Sequence, residues 1–202
     1  MALNYFSEKE LAKQVKFQQV RDRLFGPLGK LLIALRITPN LVSLISFLCL
    51  IGVAWHTISA PLIALAFLFV HVFLDAFDGL VARLTHTQSD AGAFVDILND
   101  HYGIVVFTGI LIYWNLVDST VGYMYGHLYT LMIVLVILRN KMGIPAKFVF
   151  RSKYFVYIAY AIFAFTNIEY FTILLGFFTV LTIPTIIMSI QKVINHLRTH
   201  GA

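Results

Sequence analysis

The chain has 202 residues, of which 59% are hydrophobic and 12% charged, with a mean hydropathy of +0.83. This balance excludes an ordinary soluble globular domain and predicts an integral membrane protein of one all-α domain. A net charge of +5 could point to nucleic acid, but its distribution along the chain serves membrane orientation instead, so no nucleic-acid partner is expected.

Residues 1–37 form an N-terminal juxtamembrane segment whose first 36 positions carry seven Lys and Arg. The polar, charged N-terminus has no small-residue cleavage site, which argues against a cleavable signal peptide. Ser7-Glu8-Lys9-Glu10 has the form of a capping box opening a helix. Phe17, Val20, Leu24 and Leu28 share one face of that helix, although Glu10 and Lys13 intrude on it. The two readings are an amphipathic helix at the membrane interface and a solvated basic tail.

Thr38-Pro39-Asn40 starts the next helix, with Thr38 as N-cap and Pro39 in the first turn. Residues 38–190 then hold six apolar stretches, near 41–58, 61–83, 90–115, 119–139, 152–167 and 170–190. Each approaches the roughly 20 residues needed to cross a bilayer, the fifth being the shortest. Residues 191–202 are left as a C-terminal tail. With six spans, all fifteen Lys and Arg fall on one side, in the N-terminus, the second and fourth connections and the tail. The opposite connections hold Asp118 and Glu169 and no basic residue. The positive-inside rule then places both termini in the cytoplasm, and the chain in the inner membrane if its source is bacterial or archaeal. The single cysteine, Cys49, excludes an intrachain disulfide.

Five of the ten acidic residues lie between Asp75 and Asp100, and four of these, Asp75, Asp78, Asp96 and Asp100, stand in apolar sequence. A carboxylate in hydrocarbon is costly and is a functional-site hypothesis by default. On helices, Asp75, Asp78, Gly79 and Ala82 share one face, and Gly92, Asp96 and Asp100 another. A hairpin of the second and third spans therefore points two pairs of carboxylates at each other. Counting about 1.5 Å per residue from Pro61 and Ser89 puts all four in the cytoplasmic half of a roughly 30 Å core, with Asp100 deepest. Four such carboxylates repel unless protonated or neutralised by a cation. Their all-oxygen donor set suits two hard divalent ions, Mg²⁺ or Mn²⁺, able to clamp a diphosphate. Gly79, Ala82 and Gly92 leave room for a bulky group, and Arg83 can pair with a phosphate oxygen.

The eight fixed positions Asp75, Asp78, Gly79, Ala82, Arg83, Gly92, Asp96 and Asp100 match D-x2-D-G-x2-A-R-x8-G-x3-D-x3-D throughout. This resembles the signature of the CDP-alcohol phosphotransferase family, and the six spans and the Thr-Pro-Asn segment are similar to that family as well. The resemblance implies an enzyme of phospholipid biosynthesis. A CDP-linked lipid such as CDP-diacylglycerol is held by its diphosphate on two metals, the hydroxyl of a small alcohol attacks the lipid-side phosphorus, and CMP leaves. By the same resemblance Asp75, Asp78 and Asp96 are metal ligands. Asp100 contacts the second metal and is the catalytic base, which agrees with its depth and the raised basicity a base beside a metal needs. Gly79, Ala82 and Arg83 line the cytidine-diphosphate site with Gly92, and Asn40 resembles a position near the nucleotide, though it is equally a helix-start residue.

The remaining features each carry two readings. His71, one turn before Asp75, either supports that carboxylate or is satisfied within the bundle. Asn99 and His101 flank Asp100 but point to other faces. Arg139, Lys147, Arg151 and Lys153, with Lys141, either orient the chain and touch anionic membrane lipids or bind the phosphate of a phosphorylated polyol acceptor, glycerol 3-phosphate or an inositol phosphate. Gly122-x3-Gly126 forms either a homodimer seam or a close contact within one subunit. The competing function is a cation or proton transporter, because intramembrane carboxylates also mark ion paths. Such sites tend to lie near the midplane between repeated halves, and this sequence has no repeat and no acid within the other spans. A lipid-binding scaffold with a dead site is disfavoured because every motif position is intact.

Overall fold

The structure, a computed structural model, describes residues 8–85, 87, 89–146 and 149–200, with side chains apart from those of residues 8–18, Asp78, Asp90, Ala93 and His200. Its regular secondary structure is helical throughout the described residues: α1 (Glu8–Ala34), α2 (Pro39–His56), α3 (Pro61–Leu84), α4 (Asp90–Tyr113), α5 (Ser119–Lys141), α6 (Lys153–Thr166) and α7 (Phe171–His200). Five of these, α2, α3, α4, α5 and α7, are long and apolar enough to cross a membrane. The 14 residues of α6 reach only about 21 Å, short of a full bilayer core.

Helix boundaries follow local chemistry. Thr38 is in extended conformation and its hydroxyl accepts the Leu41 N–H at 3.3 Å, with Pro39 opening the helix. Asp118 caps α5 by accepting the Val121 N–H at 3.0 Å. Arg36, Asn115 and Gly143 have positive φ (58°, 56° and 72°) just past α1, α4 and α5. Each is followed by a residue whose N–H reaches back five positions: Ile37 to Leu32, Leu116 to Leu111 and Ile144 to Arg139. These are left-handed closures that satisfy the last carbonyls of a helix. Glycine and asparagine adopt them readily, whereas Arg36 carries about 1–2 kcal/mol of backbone cost. The Ser7 cap lies outside the described residues.

Span boundaries agree with the sequence reading to within two residues except at the last. There the expected tail is helix as far as His200. No glycine or proline lies between Ile190 and His200, and Ile190, Val193, Ile194 and Leu197 continue an apolar stripe, so the helix has no cause to stop where its hydropathy falls.

The chain divides into two compact units, residues 10–107 and 108–202 beyond the first nine residues. In the first, α2 and α3 form an antiparallel hairpin. Val42, Ser46, Leu50 and Val53 are buried along one stripe of α2. Nδ1 of His71 donates to the Ser46 carbonyl at 2.9 Å, and the Ser46 hydroxyl donates to the His71 carbonyl at 2.8 Å. His71 is thus a buried interhelical tie. Gly52 lies against the ring of Phe67, within 2.7 Å of where a Cβ would stand.

The far face of α3 is packed. Phe77 and Leu80 are buried with Val42, and Phe25, Leu32, Ile37, Phe73, Leu74 and Leu84 pack around them. Phe25 meets Phe73 and Phe77 edge-on at 5.7 and 5.4 Å. Gly29 admits Leu84 and Leu80 to distances that a Cβ would obstruct (2.7 and 3.1 Å). From Asp22 onward α1 is therefore docked on α3 rather than a solvated tail. The docked face is not the apolar face read from the sequence: Val20, Leu24 and Leu28 are exposed together with Leu31 and Leu35, a stripe suited to lipid.

In the second unit α5 and α7 pack along their lengths, and α6 joins α7. Tyr125, fully buried, meets the Ser152 hydroxyl at 2.7 Å and fixes the segment entering α6. Gly122 is packed within the subunit, since a Cβ there would stand 2.8 and 2.9 Å from Ile112 side-chain atoms and 3.2 Å from Val117, whereas Gly126 faces open space. The Gly122→Leu variant is expected to lose about 1–3 kcal/mol by overpacking. Thermal unfolding in detergent checks this; an unshifted midpoint would mean that Ile112 and Val117 yield freely.

Candidate functional site

The α2, α3 and α4 residues of the first unit enclose a cavity of about 190 Å³. Its walls are Pro39, Asn40 and Ser43 of α2, Gly79, Ala82 and Arg83 of α3, Thr87 and Ser89 of the turn, and Gly92, Val95 and Asp96 of α4. Residues 79, 82 and 83 face it together because they lie three and four apart on a helix whose opposite face is the aromatic core around Phe77. The start of α4 is set by Ser89, whose hydroxyl accepts the Gly92 N–H at 3.0 Å. The N-terminal turn of α4 therefore presents its partial positive charge beside the Arg83 guanidinium, an arrangement suited to an anion. Asp96 adds a carboxylate to the same wall.

The glycines have a local reason as well as the spatial one read from the sequence. A Cβ on Gly79 would stand 3.2 Å from Nη1 of Arg83, and one on Gly92 would stand 3.3 Å from the Ser89 hydroxyl. Gly79 thus lets the guanidinium fold back along α3.

Arg83 has a partner that sequence reading missed. Its Nε donates to Oδ2 of Asp22 at 2.7 Å and its Nη2 to Oδ1 at 2.6 Å, a two-pronged ion pair across 61 residues of sequence. Both side chains are partly exposed. The one available signal was weak: Asp22 is the only acid between Glu10 and Asp75.

Of the expected site residues, Asn40, Gly79, Ala82, Arg83, Gly92 and Asp96 line this one cavity, and Asp75 and Asp100 do not. The Asp78 side chain lies outside the described residues. Among the described residues no three His, Cys, Asp or Glu side chains gather closely enough to hold a metal ion. The donor chemistry of the α3 and α4 carboxylates, all oxygen and all on helices bordering the cavity, fits a hard divalent cation. A second, mainly apolar groove shares Asn40, Ser43 and Val95 with the cavity and continues along Leu44, Phe47, Leu98 and Tyr102.

The basic candidates belong to the second unit. Arg139 is buried and its guanidinium is used by the protein itself: Nε donates to the Ile144 carbonyl at 3.0 Å, Nη2 to the Pro145 carbonyl at 3.0 Å and Nη1 to the Ser189 hydroxyl at 3.1 Å. It closes the loop after α5 and ties it to α7, a structural use that is neither of the two readings given by the sequence. Lys153 is largely buried, with its ammonium 5.0 Å from the centre of the Tyr154 ring. Arg151 is partly buried two positions before it. Lys147 lies outside the described residues.

The model of the CDP-alcohol phosphatidyltransferase family matches residues 36–194. The archaetidylinositol phosphate synthase of Pyrococcus horikoshii is 33% identical over 113 residues, covering 50% of this chain and 59% of that protein. The chain thus matches less than two thirds of that relative's length.

Replacing Arg139 by Ala strips hydrogen bonds from two loop carbonyls and from Ser189, at an expected cost of about 1–3 kcal/mol. Chemical or thermal unfolding in detergent measures it, and unchanged stability would return Arg139 to the list of free cations.

Proposed function

Because the chain belongs to the CDP-alcohol phosphatidyltransferase family, we propose that it transfers a phosphatidyl-type group from a CDP-linked lipid to the hydroxyl of a small phosphorylated alcohol, releasing CMP. The observation that carries this reading is that Asn40, Gly79, Ala82, Arg83, Gly92 and Asp96 share one cavity. Its Arg83 and α4 N-terminus are complementary to a diphosphate. An inositol phosphate is the favoured acceptor, supported by the similarity to the archaetidylinositol phosphate synthase of Pyrococcus horikoshii. The same similarity favours an archaetidyl over a diacylglycerol donor.

In this reading residues 38–190 act as one six-helix catalytic domain, counting α6 as a short span. Both termini and the cavity face the cytoplasm, where the basic residues collect. The family generally uses divalent cations. Asp75, Asp78, Asp96 and Asp100 would hold two of them, Mg²⁺ or Mn²⁺, which when bound neutralise diphosphate charge and polarise the phosphorus. Gly79, Ala82, Arg83 and Gly92 seat the cytidine diphosphate, with Asn40 beside it. Asp100 takes the proton of the acceptor hydroxyl as its oxygen bonds to the lipid-side phosphorus. The bond from that phosphorus to the bridging oxygen breaks, and CMP leaves with the electron pair. Arg151 and Lys153, with Lys147, are the candidates for the acceptor's phosphate. A homodimer is the expected assembly.

The test is CMP release by the purified chain with CDP-archaeol or CDP-diacylglycerol against inositol phosphate, glycerol 3-phosphate, serine and inositol, with Mg²⁺ or Mn²⁺. Turnover with inositol phosphate is expected; a folded preparation that releases CMP with no pair contradicts the proposal. Asp100→Asn is expected to retain the fold and to lose at least about 100-fold in turnover, and normal turnover removes it as the base. Arg83→Ala should weaken the CDP-lipid more than the acceptor, and an unchanged KM for the CDP-lipid would refute its role.

A further inference from the structure

We infer that Asp22 of α1 is a positioning residue for the donor site: it holds the Arg83 guanidinium in the orientation that receives the donor's diphosphate. The inference rests on the proposed reading of the cavity. It starts from the geometry of one side chain. Asp22 occupies Nε and Nη2 of Arg83, at 2.7 and 2.6 Å. The remaining terminal nitrogen, Nη1, is the one that lies over Gly79, 3.2 Å from where a Cβ would be. Gly79 and Arg83 both line the cavity. A guanidinium is rigid and planar, so fixing one edge on a carboxylate fixes the direction of the other N–H groups.

The carboxylate is itself held in place. Phe25, Gly29 and Leu32 lie three, seven and ten positions after Asp22, on the face of α1 that packs on Phe73, Phe77, Leu80 and Leu84 of α3. This docking delivers Asp22 to the end of α3 that carries Arg83. An unpaired arginine at the cavity rim would have to surrender its rotamer freedom when the anion binds, and one already clamped does not. The bland alternative is that the pair only staples α1 to α3.

The experiment separates the two. In the full-length chain in lipid or detergent with Mg²⁺, the KM for the CDP-lipid and for the acceptor, kcat, and the affinity for CDP itself by calorimetry are measured for wild type, Asp22→Asn, Asp22→Glu, Arg83→Lys and the Asp22→Asn/Arg83→Lys pair. Asp22→Asn is expected to raise the KM for the CDP-lipid and the Kd for CDP about tenfold while leaving the acceptor KM unchanged. Asp22→Glu should restore most of that loss. In the Arg83→Lys background, where no fork remains to be aimed, Asp22→Asn should add less than about twofold. Equal losses in both backgrounds, a fall in kcat and stability with the donor KM unchanged, or no effect of Asp22→Asn would each overturn the inference. A wild type that neither binds CDP nor releases CMP would instead sink the reading of the cavity on which it rests.

Discussion

The packing of one face of α3 constrains the rest of the site. Phe73, Phe77, Leu80 and Leu84 turn toward α1 and α2 and leave Gly79, Ala82 and Arg83 only one direction to point. Between helices that cross a bilayer such a core is held by close packing and interhelical hydrogen bonds rather than by withdrawal from water. The core and the cavity are thus two sides of a single helix. The position of α1 also follows from that core, because Phe25 and Leu32 are part of it.

Charge in the first unit is arranged around the same helix end. Arg83 and the start of α4 supply positive potential, Asp96 supplies a carboxylate, and Asp22 balances Arg83 from outside the cavity lining. In an apolar setting such opposite charges raise one another's value, and each left alone would be costly. The apolar groove that leaves the cavity past Leu44, Phe47 and Tyr102 gives the space a wet end and a greasy one, in keeping with an amphipathic substrate.

Much of this could be read from the chain alone, for identifiable reasons. Thr38-Pro39, Pro61 and Ser89 mark helix starts by local chemistry, and helical spacing pairs Gly79 with Ala82 and Gly92 with Asp96, whereas the place of Arg83 beside them came from the family resemblance. What escaped depends on contacts between distant residues. Nothing near Asp22 announces a partner 61 positions away. Arg139 reads as a loop cation until Ser189 and the Ile144 and Pro145 carbonyls close around it. Hydropathy marked the exposed stripe of α1, whereas its docking face holds a glycine and an aspartate that score poorly as apolar. The length of α7 escaped because hydropathy reports where membrane ends and not where a helix does.

In the proposed reading the carboxylates of α3 and α4 together hold divalent ions beside the cavity. Anomalous diffraction from crystals grown with Mn²⁺ and CDP tests it most directly. The account predicts manganese peaks ligated by oxygens of Asp75, Asp78, Asp96 and Asp100 with the diphosphate beside Arg83. Manganese bound elsewhere, or CDP seated with no metal between it and these four side chains, would contradict it.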